Sequence, residues 1–264
     1  MALSRTRAVV VSRRAMGEQD RLVEFYTRDH GKVRGVAKSA RRPRSRFVAA
    51  LEPFTLGELV FFDTGRSGLV RVDHFDIVHS FVRVRENLDR LGRGAWMCES
   101  LTRLSADRDP HPALFGLLVR SLRALETVVT PERVAICFAL RAVDLLGHRP
   151  RLDRCVACGR PFPFAGASLD PEAGGLVCGA CAAGRPAVPL SGPAVGMLAR
   201  LRGLRWEEAL AAGLGAGLED ELGTALDGVV TRLIGGLPRS LRFIGQTRRG
   251  LAGVAEPPPA RRRT

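Results

Sequence analysis

The chain has 264 residues, 45% of them hydrophobic, and a formal net charge of +14. This hydrophobic content supports a folded core and excludes wholesale disorder, and no apolar run approaches the roughly 18 residues that would span a bilayer. The strong positive charge favours a polyanionic partner such as nucleic acid, or an anionic membrane surface.

The N-terminus contains only a three-valine apolar segment at residues 9–11, which is too short for the hydrophobic region of a signal peptide. We therefore expect a cytoplasmic protein that does not associate with a membrane. In that compartment, six cysteines are expected as metal ligands or free thiols rather than as disulfides.

Residues 1–79 are expected to form a small β-barrel. Five short apolar segments, separated by turn residues, indicate its strands: TRAVVVSRR (6–14), DRLVEFYTR (20–28), KVRGVAK (32–38), LGELVFF (56–62) and GLVRVDHFDI (68–77). The oligonucleotide-binding OB-fold and an SH3-like barrel both fit this pattern.

From about residue 80 the apolar residues recur at intervals of three and four, which is typical of helices. The pattern predicts a helical domain in two parts, 80–150 and 188–247, with helices within 84–105, 111–129, 130–147, 191–204, 205–214 and 218–237. The expected fold class is therefore α+β. The segment 248–264 is Pro-rich and basic and is expected to be disordered.

The third helix of this series has clear end signals. Thr130 is the expected cap, Pro131 takes the first helical position, and Gly147 ends the helix. Cys98 and Cys137 fall on apolar helix faces, so we expect them in the core.

Four cysteines between the two helical parts form two C-x2-C pairs separated by nineteen residues: Cys155, Cys158, Cys178 and Cys181. Each pair can turn both sulfurs toward one metal, and two such pairs complete the tetrahedron of thiolates that zinc accepts. Gly159 and Gly179 lie beside the cysteines, where a tight turn needs a permissive backbone.

A thioredoxin-like dithiol and an iron–sulfur cluster are weaker alternatives for this motif. Four thiolates leave zinc no open position for catalysis, so residues 151–187 are interpreted as a structural zinc finger with one Zn²⁺.

Residues 31–47 carry seven basic side chains and no acidic one: Lys32, Arg34, Lys38, Arg41, Arg42, Arg44 and Arg46. They are candidates for contacts to a phosphate backbone, which give binding without sequence-specific reading. The competing interpretation is a solvated polar face followed by a mobile loop. Phe47 is the candidate for stacking on a base. Glu18 and Asp20, beside the nearby turn, are expected to cap or to form salt bridges.

The order of these parts resembles the RecO (recombination protein O) family of bacterial DNA repair proteins. The resemblance rests on Glu18-x-Asp20, Thr27-x-x-x-Gly31, Lys38…Arg41-Arg42…Ser45-Arg46, Leu51-Glu52-Pro53-Phe54, LRAVDLLGHRPRLDRCVACG (140–159) and PRSLRF (238–243). Ser39 departs from the family, which often has glycine there; its Cβ limits how sharply the chain can turn.

The resemblance implies an N-terminal five-stranded OB-fold barrel, a helical domain with an inserted four-cysteine zinc finger, and no enzymatic activity. It also implies binding of single- and double-stranded DNA, annealing of complementary strands, and action with RecR to help RecA displace single-strand-binding protein (SSB). The C-terminal tail of SSB is an implied partner. A weaker second basic patch is expected at Arg239, Arg242, Arg248 and Arg249.

Two other functions fit parts of the sequence. An RNA-binding factor of translation or ribosome assembly could combine the same barrel and cysteine motif. A hydrolase or nuclease would need clustered acids or histidines, whereas the five histidines form no H-x-x-x-H or H-x-E motif.

Overall fold

The structure is a computed structural model that describes residues 2–254 apart from residues 48, 64, 66, 67 and 129. Its strands are β1 (Ala2–Met16), β2 (Asp20–Thr27), β3 (Gly31–Ala37), β4 (Leu56–Asp63), β5 (Leu69–His79), β6 (Ser168–Asp170), β7 (Gly175–Val177) and β8 (Val188–Pro189). Its helices are α1 (Val82–Arg85), α2 (Leu88–Leu104), α3 (Pro112–Thr127), α4 (Pro131–Leu145), α5 (Gly179–Ala182), α6 (Gly192–Gly203), α7 (Trp206–Ala211), α8 (Ala216–Leu233) and α9 (Arg239–Val254).

The first five strands form a closed barrel in the order β1-β2-β3-β5-β4, in which β4 pairs back to β1. Among the described residues of these five strands, only the β3–β5 pair is parallel. This five-stranded Greek-key order is that of the OB-fold, so the fold class predicted from the sequence is confirmed.

Strand β1 is longer than the predicted segment 6–14 because it serves two neighbours. Its first half pairs with β4, and its second half pairs with β2 after an irregularity between Val10 and Ser12. Such an irregularity bends a strand and lets it turn the corner of a barrel.

The helix ends follow local capping chemistry, with two differences from the sequence. The predicted helix 84–105 is divided, because the Asn87 side chain accepts a hydrogen bond from the Arg90 N–H (3.0 Å) and starts α2 afresh. Thr130 occupies the N-cap position and Pro131 the first position of α4, as predicted, but the Thr130 hydroxyl donates to Glu219 (3.2 Å) and makes no capping hydrogen bond.

The barrel and the helices share one core. Tyr26 and Phe54 from the barrel are buried together with Trp96 and Phe138 from the helices, whereas Phe25 and its neighbours fill the barrel interior. Cys98 and Cys137 are buried as predicted, and burial raises the pKa of their thiols to about 12 and about 11.

A buried ion-pair network joins three helices of this core. Arg93 of α2, only 5% exposed, donates to Glu132 of α4 and to both oxygens of Asp227 of α8 (3.0 Å each). Burial disfavours the charged guanidinium, but the two carboxylates outweigh it and raise the pKa of Arg93.

The segment 105–109, which we call the strap, fastens the helical domain to β3. The Arg108 N–H donates to the Lys32 carbonyl (3.2 Å), and the Tyr26 hydroxyl meets Ser105 (3.2 Å). At Gly31, where φ is +60°, an added Cβ would lie 2.2 Å from the Asp109 carbonyl oxygen. Only glycine allows this approach.

Helix α9 continues to Val254, beyond the end expected for the helical domain, and residues 255–264 of the expected tail lie outside the described residues. Within the part of the chain that the structure describes, no helix has both the length and the hydropathy needed to cross a membrane.

Candidate nucleic-acid interface and metal centre

The segment 38–46, the basic loop, is fastened to the turn between β1 and β2. The Arg41 N–H donates to the Gln19 carbonyl and the Arg41 guanidinium to the Gly17 carbonyl (2.9 Å each). The Arg42 guanidinium donates to the Gln19 side-chain oxygen (2.8 Å). Because these acceptors are neutral, Arg41 and Arg42 are held in place without losing their positive charge.

Asp20 fixes the start of the basic loop. Its carboxylate accepts hydrogen bonds from the Lys38 ammonium (2.7 Å) and from the Ser39 N–H (2.8 Å). Both bonds favour the charged carboxylate and lower the pKa of Asp20, and the bond from Lys38 has the larger effect. The expectation that Asp20 caps or forms a salt bridge is confirmed.

Ser39 has φ +55°, a left-handed conformation that favours glycine. The chain therefore makes the sharp turn that the family's glycine would allow, despite the Cβ of Ser39. Its N–H bond to Asp20 holds that conformation.

Four side chains of the basic loop, those of Lys38, Arg42, Arg44 and Arg46, line one shallow concavity of about 560 Å³. Among the described residues, no carboxylate oxygen lies within 4.0 Å of the guanidinium nitrogens of Arg41, Arg42 or Arg44. Arg46 has only a distant carboxylate, that of Asp73 at 3.9 Å. The rim of the barrel therefore keeps most of its positive charge exposed.

Phe47 does not belong to this surface. It is 2% exposed and packs in the barrel interior, while the Arg46 guanidinium lies over its ring at 5.1 Å. The prediction that Phe47 stacks on a base is wrong, because its ring is buried in the core of the barrel.

Lys32 and Arg34 share one face of β3, as their alternation predicted, but they face the strap. The Lys32 ammonium donates to the Thr102 carbonyl (2.7 Å) and contacts Asp107 (2.8 Å), and its side chain is 15% exposed. Arg34 also pairs with Asp107 (2.8 Å). Five of the seven candidate residues thus lie together at the rim, and these two lie where the domains meet.

The four cysteines of the motif converge on one point. Their sulfur atoms all lie within 4.8 Å of one another, and those of Cys158 and Cys178 are 3.9 Å apart. A tetrahedron with metal–sulfur bonds of 2.3 Å has edges of about 3.8 Å. The donor set and its spacing therefore fit a metal ion held by four thiolates.

The turn at the first cysteine pair has the permissive glycine conformation that the sequence predicted, whereas the turn at the second pair does not. Gly159 adopts φ +75° directly after the first pair, whereas Gly179 begins the short helix α5 and has no positive φ. Burial opposes ionisation of Cys155, but N–H groups that point at its sulfur outweigh it and lower the pKa to about 6. Contacts with the other sulfurs raise the pKa of Cys181 to about 12.

The cysteine segment contributes to the main core. Leu169 of β6 and Leu176 of β7 are fully buried in the cluster that also contains Trp96 and Phe138. The finger is therefore packed into the helical domain.

Two family models cover nearly all of the described chain. "Recombination protein O N terminal" matches residues 1–81, and "Recombination protein O C terminal" matches residues 85–242. The chain belongs to the RecO family. The resemblance seen in the sequence is thereby confirmed.

Three relatives in the RecO family carry the name DNA repair protein RecO. That of Rubrobacter xylanophilus is 40% identical over 84% of this chain and 88% of its own. Those of Geobacter sulfurreducens and Anaeromyxobacter dehalogenans strain 2CP-C are 38% and 37% identical, over 75% and 70% of this chain and 80% and 74% of their own. These matches place the chain in a family of DNA repair proteins.

A groove between the barrel and the helical domain of this RecO-family chain was not predicted from the sequence. Residues from β1, α2 and the start of α9 enclose a groove of about 950 Å³. Arg239 and Arg242, two members of the expected second basic patch, lie on its rim; the side chains of Arg248 and Arg249 lie outside the described part of the structure.

Proposed function

We propose that this chain is a non-catalytic mediator of recombinational DNA repair that binds single- and double-stranded DNA and anneals complementary strands. The observation that carries the proposal is the basic loop, whose guanidinium groups are exposed at the rim of an OB-fold barrel, with those of Arg41 and Arg42 held by neutral acceptors. A charged, positioned surface of this kind suits a phosphate backbone.

Annealing requires two polyanions to approach each other, and a cationic surface screens their repulsion. Contacts to phosphate carry no base information, so binding of this kind serves any pair of complementary sequences. The roles of Lys32 and Arg34 in the proposal are indirect: both pair with Asp107 and join β3 to the strap. The contacts to DNA come from the basic loop.

The proposed partners follow from the family. With RecR, the protein would help RecA displace SSB from single-stranded DNA, and the C-terminal tail of SSB would bind on the helical domain. Membership of a DNA repair family favours this function over an RNA-binding role in translation. Competition between complementary DNA and structured RNA of equal length separates the two.

The proposed metal is zinc, held by Cys155, Cys158, Cys178 and Cys181 in a structural role. The spacing of the sulfurs supports it, since four thiolates within 4.8 Å would repel each other without a cation. When bound, zinc would link the two cysteine pairs and so stabilise the finger, and it would catalyse no reaction. Protein purified without chelator should contain one zinc per chain, and visible absorption from an iron–sulfur cluster would contradict zinc.

The basic loop is tested by replacing Arg41, Arg42, Arg44 and Arg46 with alanine. Each lost phosphate contact reduces the slope of log K against log salt by about 0.7 on single strands and about 0.9 on duplex. The variant should therefore bind all sequences more weakly, with a slope that is shallower by up to about 3 on single strands.

A matched control separates this surface from net charge. Arg42→Ala/Arg44→Ala should lower affinity much more than Arg83→Ala/Arg123→Ala, which removes two exposed arginines from α1 and α3. Equal effects of the two pairs would remove the basic loop from the interface.

The complete proposal is tested by annealing of fluorescent complementary strands coated with SSB, with and without RecR. The wild-type chain should accelerate annealing, and the loop variant should not. Annealing by the loop variant at the wild-type rate would refute the mechanism.

A further inference from the structure

The groove between the barrel and the helical domain has an apolar floor. It is formed by Val11 of β1, Leu91 and Ala95 of α2, Leu237 just before α9, and Phe243 of α9. Leu237 is 48% exposed and Phe243 is 40% exposed. The groove therefore presents apolar surface to solvent at its mouth.

The position of Phe243 is fixed by its neighbour. Ile244 is buried against α2, where Gly92 leaves room for it: a Cβ on Gly92 would lie 2.6 Å from the Ile244 side chain. Because successive side chains of a helix point in different directions, the burial of Ile244 turns Phe243 toward the groove.

The rim of the groove is positively charged. Arg13, Arg103, Arg239 and Arg242 line it, together with Glu24 and Glu99; Arg13 is paired with Glu52 and Arg103 with Glu99, so the unpaired positive charge comes from Arg239 and Arg242. Glu99 is already engaged, since it accepts the backbone N–H groups of Arg239 and Ser240 (2.9 Å each) at the start of α9. Among the described residues, no carboxylate forms an ion pair with the side chain of Arg239 or Arg242.

Strand β1 connects this groove to the basic loop. Arg13 lies at the groove, and Gly17, four residues further along the chain, accepts the hydrogen bond from Arg41. At 3.3 Å per residue the two points are about 13 Å apart along the strand. The exposed Arg14 lies between them. A few nucleotides therefore suffice to reach from the basic loop to the groove.

We propose that this groove binds single-stranded DNA, with the ring of Phe243 as a stacking surface for a base and Arg239 and Arg242 as phosphate contacts. An exposed aromatic side chain beside free guanidinium groups is the combination that non-specific single-strand-binding proteins use. This inference rests on the proposed DNA-binding function and adds to it a preference for unpaired bases. Bases stacked in a duplex cannot reach the ring.

The inference is tested with Phe243→Ala on oligo(dT) and on a blunt duplex of equal length. Loss of one base–aromatic contact should weaken single-strand binding by about 5- to 150-fold and leave duplex binding unchanged. Ile77→Ala, which shortens an exposed apolar side chain of the barrel, is the matched control and should change neither.

A second variant reports the contact directly. Phe243→Trp keeps an aromatic ring at the groove, so it should retain single-strand affinity, and its indole fluorescence should be quenched by oligo(dT) but not by duplex. Arg239→Ala/Arg242→Ala should make the single-strand salt slope shallower by about 1.4. Phe243→Trp and Arg239→Ala/Arg242→Ala therefore test the inference even if Phe243→Ala destabilises the protein.

The outcomes separate this inference from the function on which it rests. Normal single-strand binding by Phe243→Ala, combined with loss of binding by the loop variant, would overturn the groove and keep the DNA-binding proposal. Quenching of Phe243→Trp by an acidic apolar peptide but not by oligo(dT) would assign the groove to a protein partner instead. If both variants bind DNA as the wild type does, both proposals are overturned.

Discussion

The ion-pair network around Arg93 supports a quantitative prediction about stability. Replacing Arg93 with methionine removes the cation that faces two carboxylates, whose side chains are only 12% and 20% exposed in Glu132 and Asp227. Removal of one member of a buried network costs about 3–5 kcal/mol. We predict that Arg93→Met destabilises the protein by this amount.

Thermal unfolding followed by circular dichroism measures this effect. In domains of this size each kcal/mol lowers Tm by about 2–4 °C, so Tm should fall by roughly 6–20 °C. Arg123→Met, the same change at an exposed position of α3, should leave Tm nearly unchanged.

A triple variant tests the physical reason for the loss. Arg93→Met/Glu132→Gln/Asp227→Asn removes all three charges from the core and should recover much of the lost stability, because no carboxylate then remains opposite an apolar side chain. The reasoning is refuted if Arg93→Met costs less than about 1 kcal/mol, or if the triple variant is the less stable of the two.

Three further predictions concern β3 and the basic loop. Gly31→Ala should destabilise the protein strongly in urea unfolding, because its Cβ would meet the Asp109 backbone; a stability equal to wild type would contradict the close approach. Ser39→Gly should raise stability by up to about 1 kcal/mol by relieving the left-handed backbone, and a loss would show that the Cβ is not strained. Asp20→Asn should speed hydrogen exchange of the Ser39 amide at neutral pH. Because folding lowers the pKa of Asp20, the stabilisation by its ionised carboxylate is present above the unfolded pKa and is lost as the pH falls through the folded pKa. Exchange in the wild type should therefore approach that of the variant only in acid.

Local sequence signals were sufficient for most elements and for the metal centre. Strands β2 to β5 were found because alternating apolar residues and turn signals lie close together in the chain. The convergence of the four cysteines followed from the reach of two C-x2-C turns. The ends of β1 were missed because residues 2–5 and 15–16 are largely exposed and carry no apolar pattern.

The details that were wrong or missing depend on contacts between distant parts of the chain. The position of Lys32 is decided by Thr102 and Asp107, seventy or more residues away. Phe47 fills the barrel because the fold needs a ring there, although its neighbours in sequence are basic. The groove near Phe243 brings together segments that begin at residues 11, 91 and 237, so no local pattern could reveal it.

The strap has a mechanical consequence. Since Tyr26 of β2 and Lys32 of β3 are both bonded to the end of α2 and to the strap, the two domains can tilt relative to each other only by breaking several bonds at once. Under the proposed function, a DNA strand bound at the basic loop would therefore be held at one angle to any protein that docks on the helices. Annealing would then require the DNA strands to move while the two domains keep their orientation.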